Sequence, residues 1–382
     1  MKKFFALVLT LVVCAAMLTG CGGSKAEEKT TIRIGGIGPL TGGAATYGIA
    51  TRNGAQIAVD EINALGGLQL ELNFQDDEHD QEKAVNAYNV LKDWDMQILY
   101  GCTTTGPCVT IAGETYGERY FQLTPSASSP DVTAGHDNVF QMCFTDPNQG
   151  KTAANYVKDN ALAEKVAVLY NNGDSYSAGI AVAFADEAKA IGLNVVATVT
   201  FPDDNTADFS AQLAECQNAG AEMVFMPIYY TPASLVLSQA KGMGYAPLFF
   251  GGDGMDGILS MDGFDTTLAE GLLLMTPFNA TATDERTTYF VETYTKQYGT
   301  ETLNQFAADG YDCIWAIYEA CVAAGITPET SHEDACEMLI EQFAGSLSID
   351  GLTGSGITWQ ANGEVSKDAL VVKVVNGAYE QQ

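Results

Sequence analysis

The chain predicts an α/β protein built as two doubly wound lobes, each a parallel sheet with helices on both faces. Three observations predict it: short β-rich apolar runs alternate with longer helical patterns from Thr31 onward, the alternation restarts after Asn148, and no low-complexity linker separates the two series. Strand followed by helix, repeated, is the pattern of a parallel sheet with helical crossovers. The missing linker fits a chain that crosses between lobes several times.

In the first series, Ile32 to Ile37 is expected as a strand, and Gly48 to Ala64 as a helix with Ile57, Ala58, Glu61 and Ile62 at helical spacing. A strand at Leu70 to Phe74, a helix at Gln81 to Lys92, a strand at Ile98 to Tyr100, a helix at Pro107 to Tyr116 and a strand at Tyr120 to Leu123 follow. The second series runs helix Gly150 to Asn160, strand Val166 to Tyr170, helix Ala178 to Ile191, strand Val195 to Thr200 and helix Phe209 to Ala219. Strand Met223 to Ile228, helix Ala233 to Gly242 and strand Leu248 to Gly251 complete it. Three more helical patterns, Asp284 to Tyr298, Phe306 to Ala324 and Ser331 to Phe343, precede a last strand at Leu370 to Val375.

Composition narrows function. Lysine and arginine number 18 against 48 aspartates and glutamates, a net charge of −30. Such a surface repels phosphate backbones, so nucleic acid is excluded as a partner. Hydrophobic residues make up 47% and charged ones 17% of the chain, enough apolar material for two cores of ordinary size. Nine cysteines include Cys14 and Cys21, leaving Cys102, Cys108, Cys143, Cys216, Cys313, Cys321 and Cys336. An odd set without Cys-x-x-Cys spacing points to buried free thiols and to no zinc site; a Cys102 to Cys108 bridge is the alternative.

Several motifs fail on inspection. Gly150-Lys151-Thr152 ends like a phosphate-binding loop, but Thr145 stands where its first glycine belongs. Gly36-x-Gly38 lacks the third glycine of a dinucleotide fingerprint. The Asp76-Asp77-Glu78-His79-Asp80 run lacks calcium-loop spacing and reads as a strand-to-helix turn with Asp80 capping the helix. His79, His136 and His332 lie in different segments, and no Gly-x-Ser-x-Gly elbow is present, so no catalytic residue, metal or cofactor is expected.

The N-terminus pairs Lys2-Lys3 with an apolar run from Phe4 to Met17 and then Leu18-Thr19-Gly20-Cys21. That run is shorter than the roughly 20 residues of a membrane span. The ending resembles the lipobox of bacterial lipoproteins. The resemblance implies a signal peptide over 1–20, lipidation of Cys21, and attachment to a bacterial membrane through lipid alone. Residues 21–30 are small, polar and charged and read as a flexible tether of roughly 30 Å when extended. Without Lys2 and Lys3 the net charge falls from −30 to −32.

Further passages fall in a specific order: Gly38-Pro39-Leu40-Thr41-Gly42, Tyr47-Gly48, Asp60-Glu61-Ile62-Asn63, Asp76-Asp77, Thr104-Thr105-Gly106, Thr124 to Pro130, Gly150-Lys151, Gly251-Gly252-Asp253-Gly254, and Phe306-Ala307-Ala308 with Gly310-Tyr311-Asp312. Together they resemble the leucine/isoleucine/valine-binding protein family, solute-binding components of ABC importers with the type I periplasmic-binding fold. The resemblance covers nearly the whole chain beyond the tether. It implies lobe I at 31–146 plus 278–352, lobe II at 147–277 plus 353–382, and an amino-acid ligand held in the cleft of a monomer that docks on a permease.

Open parallel sheets bind beyond the carboxyl ends of their strands. Thr105-Gly106 opens a helix there, so free amides and the Thr105 hydroxyl can hold a carboxylate. Ser126 and Ser128 follow the next strand and can add a carbonyl and a hydroxyl. The resemblance further implies that Asp253 pairs with the ligand ammonium, that Tyr47, Tyr176 and Tyr229 line the cleft, with Tyr230 as the alternative to Tyr229, and that Phe306 meets the ligand side chain. Cys102-Thr103-Thr104 stands where branched-chain binders present apolar groups, so Thr103 and Thr104 make a more polar floor. A sensor subunit for a membrane receptor, a binder of a short amide, urea or aromatic acid, and an extracellular hydrolase are the rival readings.

Overall fold

Alternating apolar segments assemble into two sheets. The computed structural model describes residues 29–202 and 207–382; the expected leader and Cys21 lie outside the described residues. The first sheet takes β1 (Ile32–Gly38), β2 (Leu70–Asp76), β3 (Ile98–Gly101), β4 (Phe121–Thr124) and β5 (Val139–Gln141) in the order β2-β1-β3-β4-β5. All four neighbouring pairs are parallel. The helices between them are α1 (Ala45–Ala64), α2 (Gln81–Asp93) and α3 (Thr105–Glu118). Asp80 caps α2, accepting from the Lys83 amide at 2.9 Å, as expected for the acidic turn.

After β5 the chain enters α4 (Asp146–Asp159) and builds a second sheet from β6 (Val166–Asn171), α5 (Ser175–Ile191), β7 (Val195–Phe201), α6 (Ser210–Asn218), β8 (Met223–Met226), α7 (Tyr230–Gly242), β9 (Leu248–Gly251) and β10 (Leu273–Met275). It then returns for three helices, α8 (Glu285–Tyr298), α9 (Gln305–Ala324) and α10 (His332–Phe343), and finishes on β11 (Val371–Val375) and β12 (Ala378–Gln381). The second sheet reads β12-β11-β10-β9-β8-β6-β7; β10 runs parallel to β9, and the β10–β11 and β11–β12 pairs at that edge are antiparallel. Three segments therefore join the sheets, near 142–146, 276–284 and 367–370. The type I periplasmic-binding architecture follows from this topology.

The three returning helices join the first lobe, α8 and α9 against α1 and α10 against β3 and β4. α9 lies so close to α1 that a side-chain carbon at Gly54 would overlap the Ala307 carbonyl, and one at Gly310 would overlap the Thr51 carbonyl. Only glycine allows that approach. α10 presents Phe343 to Phe121 at 4.8 Å and to Phe140 at 5.3 Å between ring centroids. In the second lobe, Gly150 meets α5 the same way, against the Ile180 carbonyl, which accounts for the Gly150-Lys151 pair without any phosphate.

Segment 353–367, placed in the second lobe from sequence, contacts the first sheet, α9 and, through Trp359 on Phe343, α10. The Trp359 indole donates to the Gln141 carbonyl at 2.7 Å, and the Gln141 amide donates to the Gly363 carbonyl at 2.9 Å. Lys367 pairs with Asp309 at 2.9 Å, both side chains only 2% exposed, and also donates to the Thr353 hydroxyl. Asp312 accepts from the Leu352 and Thr353 amides and the Thr353 hydroxyl. The Gly310-Tyr311-Asp312 passage is thus a clamp on this segment.

All seven described cysteines are buried free thiols. Cys102 and Cys108 are not bridged; the Gln122 side-chain amide points at the Cys108 sulfur at 3.4 Å. No helix among the described residues is long and apolar enough to cross a membrane.

Candidate ligand-binding site

The strand ends of both sheets converge on one small cavity. Its walls are Tyr47, Thr103, Thr104, Thr105, Ser126, Tyr176, Tyr229, Asp253, Gly254 and Phe306, and its volume is about 10 Å³. Nine of the ten side chains expected from sequence therefore meet at one place. The space holds roughly one water, so the lobes stand nearly closed.

The first lobe presents a positive end. Thr104 is the extended residue before α3, Thr105 begins the helix, and Pro107 carries no amide. The unsatisfied amides of a first helical turn concentrate partial positive charge. Beneath them, Thr103 and Thr51 share a hydroxyl contact at 3.2 Å, the Ser126 hydroxyl donates to the Thr103 carbonyl at 2.6 Å, and Thr104 bonds to His79 at 2.8 Å. The floor is polar, as expected.

The second lobe presents a carboxylate. Asp253 follows β9 and is 3% exposed. The Tyr176 hydroxyl donates to its Oδ1 at 2.8 Å and accepts from the Gly254 amide at 2.9 Å. Burial pushes the Asp253 carboxyl up to about 6, with Tyr176 and Gln149 pulling the other way. Gln149 accepts from the Asp253 amide at 3.0 Å, and Gln305 donates to the Asp253 carbonyl at 3.1 Å. Neither glutamine was expected; Gln149 precedes the Gly150-Lys151 pair and Gln305 precedes Phe306, and position beside a quoted motif was the only signal.

Aromatic rings fill the remaining wall. Tyr176 and Tyr229 stack at 4.9 Å with 4° between planes, and Tyr47 meets Phe306 edge-on at 4.7 Å. The Tyr47 hydroxyl donates to the Gly254 carbonyl and accepts from the Tyr230 amide at 3.0 Å, so a first-lobe side chain fastens onto the second lobe. Of the two neighbouring tyrosines, Tyr229 lines the cavity, while Tyr230 packs against Tyr47 at 4.9 Å behind it.

Ser128 departs from expectation. It is fully buried away from the cavity walls, and its carbonyl accepts from the Asp146 amide at 3.0 Å. The chain turns after Ala127 toward the short helical turn Pro130–Val132, which carries Ser128 to the crossover.

Two sheet-based lobes, several crossovers and a buried polar and aromatic seam between them define the periplasmic binding proteins, and residues 31–378 match that family's sequence profile. The chain belongs to the periplasmic binding protein family, whose members bind solutes outside the cytoplasm. Among its relatives, the Leu/Ile/Val-binding protein homolog 3 of Brucella melitensis is 35% identical over 239 residues, spanning 61% of this chain and 64% of that protein. The leucine-binding protein LivK of Thermotoga maritima superposes with a TM-score of 0.82 at 28% identity, covering 92% of this chain and 98% of that one. The branched-chain amino-acid substrate-binding protein LivJ of Streptococcus pneumoniae, solved with isoleucine, gives the same TM-score, identity and coverage.

Proposed function

We propose that the chain is a membrane-tethered receptor that captures an amino acid between its lobes and delivers it to an ABC permease. One observation carries the reading: a buried carboxylate, Asp253, shares a cavity with a helix N-terminus from the other lobe. An α-amino acid has the matching ends, its ammonium for Asp253 and its carboxylate for Thr105, Gly106 and Ser126. The related proteins named for leucine, isoleucine and valine support that class of ligand.

Energetics require enclosure. Micromolar affinity is about −8 kcal/mol, and a ligand of some nine heavy atoms must then gain ~0.9 kcal/mol per atom against a ceiling of about 1.5. Tyr47, Tyr229 and Phe306 supply the surrounding apolar surface. The cavity of about 10 Å³ requires the walls to part for entry, so binding proceeds by hinge opening and closure. The polar floor of Thr103 and Thr104 favours short or hydroxylated side chains beside the aliphatic ones.

In this proposal the lobes meet at crossovers near 146, 278 and 368, since 353–367 contacts the first lobe. Lipidation of Cys21 holds a monomer at the outer face of a membrane, and the binding cleft performs no catalysis. Calorimetry with the common amino acids tests the reading: at least one should bind the purified chain, and Asp253→Asn should weaken it at least a hundredfold with circular dichroism unchanged. Equal affinity in the variant would remove Asp253 from the site.

A further inference from the structure

A second cavity, of about 250 Å³, lies where the chain passes between the sheets. Its walls come from the loop after β9, the crossover after β10, the loop entering α9, and β11–β12, and include Asp256, Phe278, Leu303, Asn304, Val372 and Tyr379. The lining is otherwise largely apolar. Its volume sits just under the ~300 Å³ at which small-molecule pockets begin, which fits a compact ligand.

Three buried polar atoms on these walls, Asp256 Oδ1, Asn304 Nδ2 and the Tyr379 hydroxyl, lack a well-formed hydrogen bond. Asp256, 2% exposed, uses Oδ2 to accept from the Gln305 amide at 2.9 Å, while its Oδ1 is unpartnered. Asn304, 5% exposed, uses its side-chain oxygen to cap α9, while its Nδ2 is unpartnered. The Tyr379 hydroxyl lies near Asp256 without completing a well-formed bond. Buried polar groups are ordinarily satisfied, and an orphaned one points to a missing partner. Here a carboxylate oxygen, an amide donor and a hydroxyl line one cavity without well-formed partners.

We propose that this hinge cavity is a second binding site, separate from the interlobe site, for a small organic ammonium compound carrying a hydroxyl or carbonyl oxygen. The ammonium meets Asp256 Oδ1, the oxygen meets Asn304 Nδ2, and a short apolar body lies against Phe278, Leu303 and Val372. The acidic field of a chain with net charge −30 favours a cation. Burial raises the Asp256 carboxyl to about 6, so it is largely ionised at neutral pH. Gln305 ties the two sites together, its amide on Asp256 and its side chain on the Asp253 and Met275 carbonyls at 3.1 and 3.3 Å.

The test titrates the purified full chain at pH 7.5 with 2-aminoethanol, 2-amino-1-butanol and 2-phenylglycinol by calorimetry. At least one should bind saturably, with equal affinity in wild type and Asp253→Asn. Binding should weaken about tenfold or more, roughly 1.4 kcal/mol, in Asp256→Asn. Because Asp256→Asn could disturb the Gln305 contact, Ala280→Trp and Ala378→Trp plug the cavity from exposed rim positions. Both plugs should abolish amine binding while leaving circular dichroism unchanged. No saturable binding to wild type by any of the three amines overturns the proposal. So does binding that survives both plugs, or binding lost in Asp253→Asn and kept in the plugged variants, which would place the amine in the interlobe site.

Discussion

Burial moves the Asp253 carboxyl from an ordinary 3.8 to about 6, and the consequence for stability has a definite sign. Between about pH 4 and 6 the folded protein holds a proton that the unfolded chain has released. Stability from this group is therefore greatest below about pH 4 and is lost as pH rises through 6, by about 3 kcal/mol in all. Asp77 and Asp256, raised by burial to about 7 and 6, act in the same direction. Calorimetric melting of the ligand-free protein should thus show Tm rising on acidification from pH 7.5 to 5.5. Amino-acid binding has the opposite sign, because an ammonium partner needs the carboxylate: affinity should fall by up to about tenfold per pH unit below 6. A binding constant flat from pH 7.5 to 5 would show that Asp253 does not ionise on binding. Thr104, Thr105, Ser126 and Asp253, which the structure brings to the cavity wall, were legible because they follow strand ends within recognisable passages. Gln149 and Gln305 were not, since a glutamine that orients a carboxylate carries no spacing signal. Ser128 was misread because residue order does not reveal where the chain turns.

At the scale of elements, α9 is the connecting piece: one end carries Phe306 into the site, its middle packs on α1, and Asp309 and Asp312 hold segment 353–367. The Asp309–Lys367 pair is fully buried, and removing one partner leaves an uncompensated charge. Lys367→Met should cost about 3–5 kcal/mol in urea denaturation, and adding Asp309→Leu to it should recover part of that loss. A double variant no more stable than the single would mean that the pair contributes through packing alone. The long elements were legible because their apolar periods are long. β5 and β10 escaped because three residues contain no period, and 353–367 escaped because its contacts depend on two isolated bridges and a buried lysine.

Across the whole molecule, closure rests on few contacts. Tyr47 fastens to Gly254 and Tyr230, and the Thr231 hydroxyl donates to the Gly43 carbonyl at 2.7 Å. Replacing Tyr47 with Phe removes both hydroxyl bonds while keeping the ring, so the ligand-free protein should shift toward open forms. Small-angle scattering should then show a larger radius of gyration that returns to the wild-type value with saturating amino acid. An unchanged radius in the ligand-free variant would place the balance elsewhere. The two-lobed plan itself was legible from the restarted strand–helix series, and β11 from its apolar run; β12 and the antiparallel pairing at that edge were not, because return strands follow no α/β alternation.

The seven buried thiols have a consequence for the lifetime of the protein. Burial pushes each of them above the ordinary thiol range, and a protonated, inaccessible sulfur does not exchange. In the folded chain they are silent. Unfolding exposes these seven described thiols, and outside the cytoplasm, where disulfides form and persist, exposed thiols are free to pair wrongly. Each excursion to the unfolded state is then an opportunity for irreversible cross-linking, so survival outside the cytoplasm is governed by the rate of unfolding rather than by equilibrium stability. Labelling with a thiol reagent in mild denaturant should proceed as one cooperative event for all seven, and several independent labelling rates would show that the lobes open separately.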